Sequence, residues 1–274
     1  MSDTDWNLRQ TFTFQGREVA CDVMGRGEPL VLVHGTPWSS FNLRHLARGL
    51  ADSFRVHLFD LLGYGQSDKS DNDVSLGVQN RLLTALIGFW GLENPFVVGH
   101  DFGGTTVLRA HLLDKTDFRK IALIDPVAVS PWGSPFFRHV REHEAAFAGL
   151  PDYIHEAVVR AYVGSAAFSP LPEETLACIV APWAGARGRA AFYRQMAQAD
   201  SRYTDEVQDL YPSIQRPVLI LWGREDTWIP PEKGRLLNRM IPGSTLVELP
   251  GTGHLVIEEQ PDALVREIKT FFHH

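Results

Sequence analysis

Only two cysteines, Cys21 and Cys178, occur in the 274 residues, and they lie far apart. That excludes a disulfide framework and points to a reducing, cytoplasmic setting. Positive charge is the minority sign, with 26 Lys and Arg against 33 Asp and Glu, for a formal net charge of -7. Phosphate binding needs a basic surface, so a nucleic-acid partner is excluded. No apolar run approaches the roughly 20 residues of a membrane-spanning helix. The opening Met1-Ser2-Asp3-Thr4-Asp5 is acidic and has no apolar stretch, so neither a membrane partner nor a signal peptide is expected. Internal repeats and low-complexity segments are missing as well. What is present, 44% hydrophobic and 22% charged residues, is the composition of a globular chain. It is long enough to bury a sizeable core without staples.

The order of elements follows from the apolar runs. Residues 11–23 alternate, with Phe12 and Phe14 on one face and Val19, Cys21 and Val23 continuing after Gln15-Gly16, as in a hairpin. Pro29–Val33 is continuously apolar, as a central parallel strand would be, and stops at His34-Gly35-Thr36-Pro37. Ser39 or Ser40 suits the cap of the next helix, marked by Leu43, Leu46 and Leu50. Strands are expected at 55–60, 96–98, 121–124, 217–223 and 245–249, with helices between them. The last helix starts at Pro261, with Leu264, Ile268 and Phe271 on one face. Strands alternating with helices imply an α/β chain with a mostly parallel sheet flanked by helices. From about Pro131 to Tyr211 the β-runs disappear and helix-like segments replace them. The expected division is a first core segment 1–130, an inserted helical cap 131–212 and a second core segment 213–274.

The stretch Phe96-Val97-Val98-Gly99-His100-Asp101-Phe102-Gly103-Gly104 organises the rest. A buried strand runs into a sharp turn and then a helix, and an acid stands at the apex. The pattern is G-x-D-x-G, the nucleophile elbow with aspartate where serine is usual. Sites in such sheets form at the carboxyl ends of the strands. The polar residues just past the apolar runs are His34, Thr36, Asp60, Asp101, Asp125 and Asp226, with His254 past the last strand. Asp101, Asp226 and His254 follow one another as nucleophile, acid and histidine. Asp125 is a rival acid, but the turn at Asp226 is preferred. His139 and His143 stand four apart among charged residues, and a solvated helix face explains them better than a metal pair. No metal is expected.

With these residues in view, the whole chain resembles a capped α/β-hydrolase of the aspartate-nucleophile branch, which holds epoxide hydrolases, haloalkane dehalogenases and haloacetate dehalogenases. The elbow, His34-Gly35-Thr36-Pro37, the loop Asp60–Lys69 and Gly223-Arg224-Glu225-Asp226 carry the resemblance. It implies a cofactor-free hydrolase acting on a small molecule. Asp101 would form an alkyl-enzyme ester, His254 would activate water against it, and Asp226 would orient His254. The backbone N–H groups of Thr36 and Phe102 would form the oxyanion hole. A monomer or homodimer is expected.

The leaving group separates the subclasses. Dehalogenases place N–H-bearing side chains where this chain has Thr36 and Phe102, and haloacetate enzymes carry arginines after the nucleophile where it has Phe102, Gly103 and Gly104. Halide chemistry would therefore fall to an indole of Trp38, Trp132 or Trp183. Epoxide hydrolases use cap tyrosines, and Phe192-Tyr193-Arg194-Gln195-Met196 resembles one such segment, with Tyr153 as a second phenol. The reading adopted is an epoxide hydrolase-like enzyme. A haloalkane or haloacid dehalogenase is the alternative within enzymes. A small-molecule receptor on the same scaffold is the alternative outside them, opposed by the complete set Asp101, Asp226 and His254.

Overall fold

The computed structural model describes residues 6–274. The acidic opening stretch, 1–5, lies outside the described residues. In chain order the first elements are β1 (Gln10–Phe14), β2 (Arg17–Gly25), β3 (Glu28–Val33), α1 (Arg44–Leu50) and β4 (Phe54–Phe59). They are followed by α2 (Leu76–Phe89), β5 (Phe96–His100), α3 (Phe102–Leu112) and β6 (Ile121–Ile124). Six helices come next: α4 (Pro135–Glu142), α5 (Glu144–Ala148), α6 (Asp152–Gly164), α7 (Glu173–Val180), α8 (Gly185–Ala197) and α9 (Arg202–Gln208). The sheet resumes with β7 (Val218–Gly223), α10 (Pro231–Met240), β8 (Thr245–Leu249), α11 (Val256–Glu259) and α12 (Pro261–His273).

The eight strands form one sheet in the order β1-β2-β4-β3-β5-β6-β7-β8. The β1–β2 and β2–β4 pairs are antiparallel and the remaining pairs parallel. This is the fold of an α/β-hydrolase. The central strands β5, β6 and β7 are buried at every residue, which is why each opens as an apolar run. The pairings Val33 with Gly99, His100 with Ile124 and Ile124 with Leu221 bring four strand ends to one edge of the sheet. The polar residues that follow these strands are therefore brought together there.

Ser39 caps a 3-10 turn, Ser40–Leu43, that leads into α1. One helix face differs from the spacing read above. In α12 it is Phe272 that is buried with Leu264 and Ile268, while Phe271 is half-buried. The i, i+4 row simply continues by one more turn, and the Phe272 ring meets Phe54 and Phe96. No helix among the described residues is long and apolar enough to cross a membrane.

Candidate active site

Asp101 stands between β5 and α3 with φ 54° and ψ -120°, a conformation that side-chain-bearing residues rarely adopt. It is held there because α3 starts at once and lies against β3. At Gly103 a Cβ would collide with the Val33 carbonyl, so only glycine permits that approach. At Gly35 a Cβ would overlap the Asp101 carboxylate itself.

Both Asp101 oxygens are engaged. Oδ1 accepts the Thr36 N–H at 2.6 Å, and Oδ2 lies 3.2 Å from Nε2 of His254. Phe102 is the first residue of α3, so its N–H is among the donors a helix leaves unsatisfied. On the far side, His254 Nδ1 meets Asp226 Oδ2 at 2.8 Å. Asp226 Oδ1 in turn accepts the N–H groups of Trp228 and Ile229, at 2.8 and 2.9 Å. Burial alone would lower the His254 pKa. The Asp226 and Asp101 carboxylates outweigh it and hold the imidazole well above its ordinary value.

Asp125 makes no hydrogen bond to His254. Its Oδ1 accepts the Gly223 N–H at 2.8 Å, while Oδ2 is buried without a partner among the described residues. Burial, and next the neighbouring Asp226 charge, push its pKa well above the carboxylate range. His34 is fixed as a neutral ring. Its Nδ1–H points at Gly35 O, 2.8 Å away, and its Nε2 accepts the Leu61 N–H at 2.9 Å. Asp60 accepts the N–H groups of Ser40 and Gln66, each at 2.7 Å, and so ties two loops together.

A cavity of about 170 Å³ opens over Asp101. Its buried floor is Thr36, Asp101, Phe102 and Val127, and its exposed rim includes Pro131, Gly133, Ser134 and Pro230. One wall is aromatic. Trp228 stacks on His254 with ring centroids 5.2 Å apart, and Tyr162 stacks on Trp228 at 4.4 Å. The Tyr162 hydroxyl has no hydrogen bond among the described residues. Burial, then the Asp101 charge, hold its pKa well above that of an ordinary phenol, so it stays a donor.

The residues expected to meet a leaving group fall elsewhere. Tyr193 is buried, does not line this cavity, and has its hydroxyl 3.0 Å from Nδ1 of His155. Tyr153 points outward and is 73% exposed. Contrary to the expectation, neither phenol lines the Asp101 cavity; the one that does belongs to Tyr162. Trp132 lines the cavity, but its indole N–H is spent on Thr204 Oγ1 at 2.8 Å. Trp183 donates to Pro37 O at 2.9 Å and does not line the cavity. Trp38 is also outside the lining, although its Nε1 is buried without a partner among the described residues. His139, Glu142 and His143 are exposed, with donor atoms within 4.8 Å of one another, and do not line the cavity.

Sequence reasoning missed four residues. Trp228 carries a signal, standing two residues after Asp226. Tyr162 and Lys233, which both line the cavity, carry none, because nothing in their spacing says which helix face meets it. The fourth, Gln195, is buried on α8. Its Oε1 accepts the Thr36 hydroxyl at 2.6 Å and the Tyr64 hydroxyl at 3.0 Å, joining the helical insertion to the end of β3.

Residues 30–267 match the model of the alpha/beta hydrolase family. A solved α/β hydrolase fold protein from Burkholderia ambifaria superposes with a TM-score of 0.94 at 49% identity, covering 96% of this chain and 97% of that one. Among curated relatives, a cis-3-alkyl-4-alkyloxetan-2-one decarboxylase from Xanthomonas campestris is 25% identical, over 89% of this chain and 88% of its own. Haloalkane dehalogenase 2 from Mycobacterium bovis is 26% identical, over 89% of this chain and 87% of its own.

Proposed function

The chain belongs to the alpha/beta hydrolase family, and on that premise we propose that it opens a strained oxygen ring, as an epoxide hydrolase does, through an ester on Asp101. In this reading the helical insertion, residues 131–212, is a cap over the core segments 1–130 and 213–274. The observation that carries it is the Tyr162 phenol, without a partner among the described residues and lining the cavity that ends on Asp101.

A carboxylate is ionised at neutral pH and needs no base to attack saturated carbon. As the ring C–O bond breaks, negative charge collects on oxygen, and a phenol can donate its proton to it. A departing halide asks for N–H groups instead. The side chains of Thr36 and Phe102 offer none, and the indoles of Trp132, Trp183 and Trp228 are bonded to protein oxygens. In the second step His254 takes a proton from water, and the hydroxide attacks the ester carbonyl carbon. The charge arising on Asp101 Oδ1 meets the Thr36 N–H, an arrangement supported by their 2.6 Å contact. Collapse releases the diol and restores the Asp101 carboxylate, and the proton on His254 returns to the phenolate. The sum is one epoxide plus one water giving one diol. The oxetanone named for the Xanthomonas relative is also a strained oxygen ring, which supports the same substrate class.

The test is a panel of epoxides, haloalkanes and haloacids read out by diol and halide release. Tyr162→Phe should lower diol formation about 10²-fold or more, the range of general-acid help, and leave the fold intact. The Mycobacterium relative supports halide displacement as the alternative. Halide release that ignores Tyr162→Phe and is lost with Trp38→Phe would establish that alternative instead.

A further inference from the structure

Two charged groups line the Asp101 cavity, Asp101 itself and Lys233. They lie toward opposite ends. Asp101 is 3% exposed on the floor, whereas Lys233 is half-buried beside the exposed rim residues Pro230, Gly133 and Ser134. Between them the walls are largely apolar, including Val127, Phe137, Trp228 and Ile229.

Among the described residues the Lys233 ammonium has no counter-ion. Its Nζ donates to Ser130 O at 3.1 Å. An ammonium offers three donors, so two remain for a ligand. Its position is also unfavourable within its own helix. Lys233 stands in the first turn of α10, where the helix dipole disfavours a cation. Burial lowers its pKa, with no carboxylate acting to raise it. A cation kept in a partly buried site without an anion is compensated when a ligand brings one.

We propose that Lys233 receives a carboxylate on the end of the substrate remote from the reacting carbon, so that the enzyme selects acidic over neutral substrates. This rests on reading the cavity as the substrate site. Asp101 enforces the orientation, because a carboxylate entering first would face a like charge at the floor. The acidic end stays at the rim, the apolar body lies along Trp228 and Val127, and the ring meets Asp101. Binding energy gained at this remote end helps to position the reacting carbon.

Two pairs of probes test the proposal. Calorimetry on the wild-type protein with 3-phenylpropanoate and 3-phenylpropanamide should show the acid bound about 10-fold tighter or more, as for a charge-assisted hydrogen bond. Added salt should reduce that preference. In Lys233→Met the ratio should fall to about one, and in Lys233→Arg it should persist. Lys233→Glu should turn the preference toward 3-phenylpropylamine. Equal binding of acid and amide by the wild type, or a preference that survives Lys233→Met, overturns the assignment. Turnover of 4-(oxiran-2-yl)benzoate and 4-(oxiran-2-yl)benzamide, in which the aryl ring separates the acidic end from the epoxide, separates this from the catalytic reading. A lysine-dependent binding preference with neither epoxide opened sinks the epoxide reading and leaves the carboxylate site standing. Ring opening of both epoxides at equal kcat/KM, with equal binding, does the reverse.

Discussion

At the scale of single residues the central fact is that the Asp101 carboxylate faces the His254 imidazole at 3.2 Å. Two carboxylates hold the imidazole well above its ordinary pKa. An ester on Asp101 would remove one of them, leaving burial opposed by Asp226 alone. The pKa of His254 must then fall, so the first half-reaction prepares the base for the second. His254→Ala should accordingly let alkylation proceed and stall hydrolysis. Intact mass spectrometry with a turned-over substrate should reveal a stable adduct that maps to Asp101. An adduct on another residue, or undiminished turnover, would refute the scheme. The two acids divide by the same reasoning. Asp226 contacts His254 Nδ1 at 2.8 Å, so Asp226→Asn should cost roughly 10⁴ in kcat, as for the orienting acid of a serine triad. Asp125 has one unpartnered oxygen and makes no hydrogen bond to His254, and an amide oxygen can still accept the Gly223 N–H. Asp125→Asn should cost less than 10-fold by the scale of ordinary local changes, and the reverse ranking would exchange their roles.

At the scale of elements, one link between the helical insertion and the end of β3 is a side-chain amide. Gln195 on α8 accepts from both Thr36 and Tyr64. Gln195→Leu would leave two buried hydroxyls without an acceptor, at about 1–3 kcal/mol each. Urea titration should show a loss of roughly 2–5 kcal/mol. A loss below about 1 kcal/mol would mean that the hydroxyls find other acceptors. The same helix marks where the sequence stops being legible. Strands β3, β5, β6 and β7 are apolar runs ended by glycine or a polar residue, so their carboxyl ends, and with them Asp101 and Asp226, could be placed by pattern alone. Within the insertion, five tyrosines fall between Tyr153 and Tyr211. Which of them faces the cavity depends on how α6 and α8 dock, a tertiary property that local spacing does not encode. Tyr162 lies beside the buried row His155, Val159, Val163 of α6, just far enough round the helix to reach Trp228. Tyr193 lies within the buried core of α8, and its hydroxyl serves His155.

At the scale of the whole molecule, the folded chain encloses more neutral histidine than acid pH allows. Burial lowers the pKa of His34, His57, His100 and His155, reaching about 4 for His57 and about 3 for His100. Unfolded, each titrates near 6.5. Below that value the unfolded chain binds more protons than the folded one, so stability falls as pH drops from about 6.5 toward 4. Asp125 acts in the opposite sense, since its raised pKa lets the folded chain hold a proton that the unfolded chain has released. One acid offsets one of four histidines, and the slope keeps its sign. Above 6.5 His254 adds a loss of its own, because its raised pKa gives stability that disappears as pH rises through the folded value. The stability maximum should therefore lie near pH 6.5. His57 allows a clean check, because it is buried on β4 beside Trp90 and neither ring nitrogen has a hydrogen-bond partner among the described residues. His57→Leu removes the titration without breaking a hydrogen bond. Urea titrations at pH 5 and 7 should show the wild type weaker at pH 5. The variant should recover at most about 2 kcal/mol of that difference, less where solvent screens the ring. If the variant kept the full wild-type dependence between pH 5 and 7, His57 would not be among the groups that set it.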